Sequence, residues 1–222
     1  MNKSILVAAA IAAFSSSSVF AGGSLFGNSS PSDEDGTGAI YGGASIGQSS
    51  DSTCNSVADQ AGLLLDNIDC PTPSAWKVFG GYEIAPNLAI EGAYIDFGES
   101  SAESVIPVIP RINTVANPAG LTTQATGFNA SGVANAPVTD ELSVFGKAGL
   151  TMWDRETTAT VQNVGASATT IVQTTATDGI DLSLGAGAEY KISDNWGVRG
   201  ELEHFNGLNN NLYSVGATFS TF

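Results

Sequence analysis

Long hydrophobic runs, positive charge and histidine are all scarce in this chain of 222 residues. The apolar run from Ile5 to Phe14 has about half the ~20 residues that a membrane-spanning helix requires, and no other run reaches that length, so helical insertion is excluded. Only 7 Lys and Arg oppose 22 Asp and Glu, and this acidic balance argues against nucleic acid, whose phosphates it would repel. The single histidine, His204, lies far from the two cysteines, so we predict no metal site and no cofactor.

The N-terminus has the layout of a secretory signal peptide. Lys3 precedes the apolar run, and the small-residue site Val19-Phe20-Ala21 follows it, so we expect a signal peptide at residues 1–21. Residues 22–38 are then predicted to form a linker. Within it, Asp33-Glu34-Asp35-Gly36 resembles a fragment of a calcium loop but lacks the remaining ligand spacing, and we interpret it as a solvated acidic segment.

Apolar and polar residues alternate with period 2 through most of the remaining chain, which is typical of half-buried strands. From Ala75 the even positions are mostly apolar, while Lys77 and Glu83 share the odd face; Glu91 continues that face in the next segment. Ala85-Pro86-Asn87 between the two segments suits a tight turn. Eight such strands are predicted, at about residues 39–48, 75–84, 88–95, 126–136, 141–153, 178–191, 196–203 and 213–220.

Short and long connections alternate along this set of strands. Residues 85–87, 137–140 and 193–195 form short connections, whereas residues 49–74, 98–125 and 154–178 form long ones. The pattern predicts an all-β fold, an eight-stranded antiparallel up-and-down transmembrane β-barrel over residues 39–222, with short turns in the periplasm and long loops outside. Five aromatic residues near predicted strand ends suit the membrane interface: Trp76, Tyr82, Tyr94, Tyr190 and Trp196.

A soluble barrel of the lipocalin type would show the same alternation with its apolar residues inside. The charged face distinguishes a soluble barrel from a membrane barrel. Charge on the outside of a soluble barrel needs no partner, whereas charge sealed inside a membrane barrel must be paired or solvated. Pairing residue 192 with residue 196 across their turn sets Glu189 opposite Arg199. Pairing residue 84 with residue 88 sets Glu91 opposite a glycine, and this small partner leaves room for the acid in a narrow interior. The predicted interior charges are Lys77, Glu83, Glu91, Lys147, Glu189, Arg199, Glu201 and Glu203.

Four segments combine glycines, aromatics and inward charges: Ala75 to Tyr82 (AWKVFGGY), Phe145 to Leu150 (FGKAGL), Gly187 to Tyr190 (GAEY) and Trp196 to Glu201 (WGVRGE). They resemble the OmpA-like transmembrane domain family of bacterial outer-membrane proteins. The resemblance implies an outer-membrane barrel of a Gram-negative bacterium that serves envelope integrity, adhesion or narrow gated conduction. We expect as partners outer-membrane lipids and lipopolysaccharide, the barrel assembly machinery, and a host or cell-surface ligand.

The C-terminus departs from that family in two ways. Many members continue into a periplasmic peptidoglycan-binding domain, whereas this sequence ends at Phe222, so we do not expect it to tether the cell wall. Members usually end with a phenylalanine in register with the lipid-facing residues, as an assembly signal. Here Phe219 is in register and Phe222 is not, so Phe222 is either an assembly signal or a frayed terminus.

The predicted outer loops hold three features. Cys54 and Cys70 are expected to form a disulfide, because a secreted chain meets an oxidising compartment. Val105 to Pro110 is unusually apolar for an exposed segment and forms either a partner surface or a cover over the barrel mouth. The third long loop is rich in threonine and is expected to extend as a β-hairpin.

The function predicted from these patterns is structural, with adhesion or ligand binding through the outer loops as the alternative. An enzyme is not expected, because small barrels that modify lipid A use histidine with serine and a carboxylate, and no serine follows His204 closely. Eight strands leave little lumen, so the interior charges are interpreted as a polar plug, with a narrow gated pore as the competing interpretation.

Overall fold

The computed structural model describes residues 38–51, 72–106, 117–163 and 169–221. Each strand pairs antiparallel with the next along the chain, and the last pairs with the first, so the sheet closes into a barrel. The predicted eight-stranded, up-and-down, all-β architecture is confirmed. Its strands are β1 (Ile40–Asp51), β2 (Ser74–Ala85), β3 (Leu88–Ile106), β4 (Asn117–Pro137), β5 (Leu142–Asn163), β6 (Thr169–Lys191), β7 (Trp196–Phe205) and β8 (Asn210–Thr221).

The short connections β2–β3, β4–β5 and β6–β7 lie at one end of the barrel, here called the turn end. At the first of them Asn87 has a φ of 64°, a left-handed conformation that asparagine tolerates. Ala85 pairs with Leu88, and a bulge follows at residue 84, so the predicted pairing of residues 84 and 88 is wrong. The bulge absorbs one residue, and the predicted register, with Glu91 opposite a glycine, holds beyond it.

Four strands continue well past the others at the opposite end. The predicted long connections at 98–125 and 154–178 are mostly strand, so those loop boundaries are wrong, while the expected threonine-rich hairpin is confirmed. Threonine and valine favour strands in water as well as in lipid, but the apolar alternation that signals a membrane strand stops at the lipid boundary. We call this extension the projecting sheet: residues 99–106 of β3, 117–125 of β4, 154–163 of β5 and 169–178 of β6.

Burial alternates along the barrel strands, as β2 and β7 show most clearly. Outward positions are apolar: Ile46 is 70% exposed and Ile180 is 64% exposed. The aromatics predicted at the interface also point outward, with Trp76, Tyr82, Tyr190 and Trp196 exposed and Tyr94 half-buried. No helix in the described ranges is long and apolar enough to cross a membrane.

Apolar residues bracket the charged residues inside the barrel. Along β3, Glu91 follows buried Ala89 and precedes buried Ile95 and Phe97. Towards the turn end, Ala89, Val133 and Phe145 form one buried cluster. A larger cluster includes Phe97, Phe205, Leu208 and Leu212 and lies towards the projecting sheet. The charges therefore occupy a middle layer of the interior.

Candidate functional site

Six buried charged side chains meet inside the barrel, and we call them the ion cluster. Three are basic and three are acidic, so their formal charges cancel. None is more than 7% exposed. Its members are Lys77, Glu91, Lys147, Arg199, Glu201 and Glu203.

The two lysines share the same pair of acids. Lys77 Nζ lies 2.5 Å from a carboxylate oxygen of Glu203 and also contacts Glu201. Lys147 Nζ lies 2.6 Å from Glu201, also contacts Glu203, and is 3.4 Å from Glu91. Each lysine therefore has at least two carboxylate partners, which is the compensation that buried charge requires.

Arg199 joins the third acid to the cluster. Its Nη1 donates to Glu91 Oε2 at 2.8 Å, and its Nε lies 3.5 Å from Glu201. The guanidinium lies 4.0 Å from the ring centroid of Phe145 and 4.7 Å from that of Phe79, within the range of cation–π attraction. Tyr41 Oη donates to Glu91 Oε2 at 3.1 Å, so this carboxylate is satisfied from two sides.

Four strands supply the cluster, and glycines give it room. On β7 the three charges lie at positions 199, 201 and 203, which alternate onto the inward face. Gly185 and Gly187 on β6 face Glu203 and Glu201, in the same register that sets Glu189 opposite Arg199. A Cβ at Gly187 would lie 2.4 Å from both the Phe145 ring and a backbone oxygen. A larger residue there would have to displace the wall of the cluster.

Two of the eight predicted interior charges lie outside the ion cluster. Glu83 and Glu189 are only partly buried and lie near the turn end. Glu189 does pair with Arg199 in strand register, as predicted. Its carboxylate instead accepts a hydrogen bond from Thr218 Oγ1 at 3.0 Å, whereas the Arg199 guanidinium reaches across the lumen to Glu91.

Apolar side chains pack inside the barrel on the side of the projecting sheet. Phe97 and Phe205 make an edge-to-face contact with ring centroids 4.9 Å apart. The β7–β8 connection bends inward and buries Leu208, whose carbonyl accepts from Arg155 Nη2 at 2.8 Å. Beside it is a cavity of about 10 Å³, lined by Ser49 and other residues, which holds at most one water.

The predicted interior residues were all charged, so that set did not include the aromatic and apolar part of this interior. Phe79, Phe145 and Phe205 share strand parity with the charges, and that parity was sufficient to place them inward. Leu208 lies in a turn, where alternation gives no direction. Its burial depends on the inward bend of the connection, which the sequence does not signal.

His204 is not placed for acid–base catalysis with serine. It lies on the outward face of β7, and its Nδ1 is 2.9 Å from Asn211 Oδ1. Asn211 in turn contacts Ser50 on β1, so the asparagine side chain lies between the imidazole and the hydroxyl. Proton transfer requires hydrogen-bond distance. Across the four described ranges, no group of three or more His, Cys, Asp or Glu could hold a metal ion.

Several predicted features fall outside the described residues. They are the signal peptide at 1–21, nearly all of the linker at 22–38, the disulfide partners Cys54 and Cys70, most of the apolar segment Val105 to Pro110, and the terminal Phe222. These stay predictions.

Comparison with known proteins points to one family. The sequence pattern of the OmpA-like transmembrane domain family matches residues 35–218. No curated protein matches the chain.

Among solved structures, the chain is similar to Ail, the attachment invasion locus protein of Yersinia pestis, at 12% identity and a TM-score of 0.45, covering 83% of this chain and 99% of Ail. It is also similar to the N-terminal β-barrel domain of Pseudomonas aeruginosa OprF, at 10% identity and a TM-score of 0.47, covering 84% and 99%. The outer membrane protein OprG of the same species gives 9% identity and a TM-score of 0.49, covering 83% and 96%.

Proposed function

Because the chain belongs to the OmpA-like transmembrane domain family and is an integral β-barrel of the outer membrane, we propose that its role is structural. The barrel is a sealed element that supports the integrity of the cell envelope. One observation carries this proposal: the lumen is filled by a charge-balanced ion cluster, and apolar side chains close it towards the projecting sheet. Eight strands enclose only enough space for side chains, so a filled interior leaves no path for solutes.

Conductance measurements test the seal. The purified chain in planar bilayers is expected to show no steady conductance, because an ion would have to displace paired charges and then cross the apolar layer at Phe97 and Phe205. Replacing Phe205 and Leu208 with alanine thins the apolar layer and leaves the ion cluster complete, whereas replacing Arg199 with alanine removes one charge of the cluster and leaves the apolar layer complete. Steady conductance of the unmodified chain would contradict the seal and favour a narrow gated pore.

A deletion strain tests the envelope role. Loss of the protein is expected to sensitise cells to detergent, and re-expression of the unmodified chain is expected to restore resistance. A variant whose β5–β6 hairpin is cut back to the membrane boundary keeps every member of the ion cluster. It is expected to restore resistance as well. Normal detergent resistance in the deletion strain would contradict the structural role.

The partners of a structural barrel follow from its surfaces. The outward band, with exposed residues such as Ile46 and Ile180, is proposed to contact outer-membrane lipids and lipopolysaccharide. The predicted signal peptide, the disulfide between Cys54 and Cys70 and the assembly role of Phe222 remain part of the proposal. They are tested by N-terminal sequencing of the mature protein, by thiol labelling with and without reductant, and by membrane levels after deletion of Phe222.

A second candidate function is binding at the outer end of the barrel. The observation that favours it is the projecting sheet, because four strands continue for about eight to ten residues beyond the rest of the barrel, where they do not contribute to spanning the membrane. Adhesion of cells that carry the unmodified chain, compared with cells that carry the shortened β5–β6 hairpin, tests it. Equal adhesion by both strains would contradict it.

A further inference from the structure

One edge of the projecting sheet has no neighbouring strand among the described residues. β6 pairs with β5 along its whole length but with β7 only from Ser183 to Lys191. Residues 172–178 are all exposed. This edge of β6 therefore faces solvent along residues 172–178, beyond the part of β6 that pairs with β7.

Strand geometry identifies which backbone groups point to this open edge. The N–H of Asn206 donates to the carbonyl of Leu182 at 3.1 Å, so Leu182 points towards β7. In an antiparallel strand the N–H and C=O of one residue point to the same side, and alternate residues share that side. The β5–β6 register is unbroken from Leu142 to Asn163. The residues whose N–H and C=O point to the open edge are therefore Val172, Thr174, Ala176, Asp178 and Ile180.

The two edges of the projecting sheet differ in how they are protected against strand pairing. The β3 edge has a bulge between residues 96 and 99, where Gly98 has a φ of 81°, and it continues with exposed Glu99. Bulges and edge charges are devices that block pairing. The β6 edge has a charge only at its membrane side, Asp178, because residues 172–177 (VQTTAT) contain no charge, proline, glycine or bulge.

We propose that the open edge of β6 binds an extended segment of another protein, which adds to the projecting sheet as an antiparallel strand. Strand addition of this kind obtains affinity from main-chain hydrogen bonds and specificity from side chains on the two faces. The proposal deepens the second candidate function, binding at the outer end, and rests on it. It does not depend on whether the barrel is sealed.

The charge pattern defines the chemistry of the segment. Asp178 lies at the membrane side of the open edge, directly opposite Asp154 on the same face, and Glu156 lies one row above. Beyond that row the β6 edge is uncharged. An antiparallel partner runs outward from the membrane, so its N-terminal end lies beside Asp178. The segment should carry Lys or Arg at that end and be rich in uncharged β-branched residues beyond it.

A second copy of the chain in the same membrane does not fit this edge. Two copies of β6 pair antiparallel only around a two-fold axis perpendicular to the sheet. That axis lies in the plane of the membrane and would turn one copy upside down. Copies in one membrane share an orientation, so a symmetric β6–β6 pair between them is excluded. The basic end that Asp178 calls for favours a different polypeptide as the partner.

Amide exchange of the full chain in nanodiscs tests the proposal directly. In the free protein, the N–H groups of Val172, Thr174 and Ala176 are expected to exchange fast, while those of Gln173 and Thr175, which bond to β5, exchange slowly. The probe is a synthetic peptide with the sequence of residues 155–163, RETTATVQN, which already pairs with β6 on its other side and begins with a basic residue. Adding it is expected to slow the even-numbered amides and leave the odd-numbered ones unchanged.

Two variants identify the binding edge and the charge contact. Ala176→Pro removes an N–H that points to solvent, so the barrel and the β5 pairing remain while protection by the peptide is lost. Asp178→Lys is expected to abolish protection by RETTATVQN and to restore it for a peptide that begins with Glu in place of Arg. Asp140→Lys changes the same charge at the turn end and is the matched control, with protection unchanged.

Three results would overturn the proposal. They are slow exchange of the even-numbered amides in the free protein, no protection at saturating peptide, and equal protection in Ala176→Pro. Exchange at this edge is independent of conductance and detergent resistance, and it is measured without cells. Its failure is therefore distinguishable from failure of the structural role and from failure of whole-cell adhesion.

Discussion

The barrel interior and the projecting sheet reverse the usual placement of charge. Within the membrane, six charged side chains pack together and are almost completely buried. In water, by contrast, residues 117–124, 157–163 and 169–177 of the projecting sheet contain no ionisable side chain. Charge is concentrated in the interior, where each charged side chain of the ion cluster has a counter-charge, and it is absent from the outer part of the β6 edge.

The two regions also satisfy their polar groups differently. In the ion cluster, side chains from four strands neutralise one another, so removing one leaves others uncompensated. In the outer part of the projecting sheet, side-chain contacts join neutral residues, such as Thr158 and Thr174 at 3.2 Å, and each can be removed alone. We therefore expect mutations in the first region to be costly and coupled, and mutations in the second to be small and additive.

The largest effect is expected from Glu203→Gln in the ion cluster. The change leaves Lys77 and Lys147 facing one carboxylate fewer in a dry interior, which costs about 3–5 kcal/mol of unfolding free energy. Urea unfolding in lipid vesicles, followed by tryptophan fluorescence, measures it. Glu156→Gln on the exposed face of the projecting sheet is the control and is expected to change stability by less than about 0.5 kcal/mol. Equal losses in the two variants would remove the contrast between the regions.

A double replacement tests whether the cost comes from unpaired charge. Lys77→Met and Glu203→Leu together leave two basic and two acidic members in the cluster. The double variant is expected to be more stable than the sum of the single losses predicts, by on the order of 2 kcal/mol. A complete double-mutant cycle measures this coupling energy. Additive losses would show that the residues contribute by packing alone.

Substitutions at two glycines compare the crowded interior of the barrel with its open outer face. Gly187→Ala is expected to cost about 1–3 kcal/mol, because its Cβ would lie 2.4 Å from both the Phe145 ring and a backbone oxygen. Gly92 faces outward with nothing within 4 Å of a Cβ, so Gly92→Ala is expected to be neutral or to stabilise by up to about 1 kcal/mol. Thermal unfolding of both variants measures the difference, and comparable destabilisation by the two would contradict it.

The smallest effect is expected at the base of the projecting sheet. Asp154 and Asp178 pair directly across β5 and β6, and like charges in that position repel. Asp154→Asn is therefore expected to stabilise the protein by about 0.2–1 kcal/mol at low salt, and the gain is expected to shrink at about 1 M salt because of screening. Urea unfolding at two salt concentrations measures it. A gain that does not depend on salt would exclude charge repulsion as its cause.

Most of the barrel was predictable because a membrane strand must alternate. Lys77, Glu91 and Arg199 could be placed inward from parity, and their register could be counted from short turns. Which acid each base contacts was not predictable: Arg199 reaches Glu91 across the lumen instead of its neighbour Glu189. Strand register fixes positions on the wall, whereas contacts across the lumen depend on barrel tilt and side-chain length.

The projecting sheet was only partly predictable for a related reason. Apolar and polar residues must alternate only where a strand separates lipid from a polar interior. Beyond the membrane boundary the alternation is no longer required. Threonine-rich hairpins such as Thr157 to Thr177 continue to pair without it. The inward bend that buries Leu208 was also hidden, because it lies in a connection without periodicity.

The origin of the acids in the ion cluster has a consequence for assembly. Both carboxylate partners of Lys77 come from β7, although Lys77 itself lies on β2. In an open sheet β2 and β7 are five strands apart, so Lys77 cannot reach these acids. Closure through the β1–β8 pairing brings β2 and β7 to facing walls of one lumen, where the ion pairs form. The ion cluster thus stabilises the closed barrel over an open sheet, because only the closed barrel places this lysine beside its counter-charges.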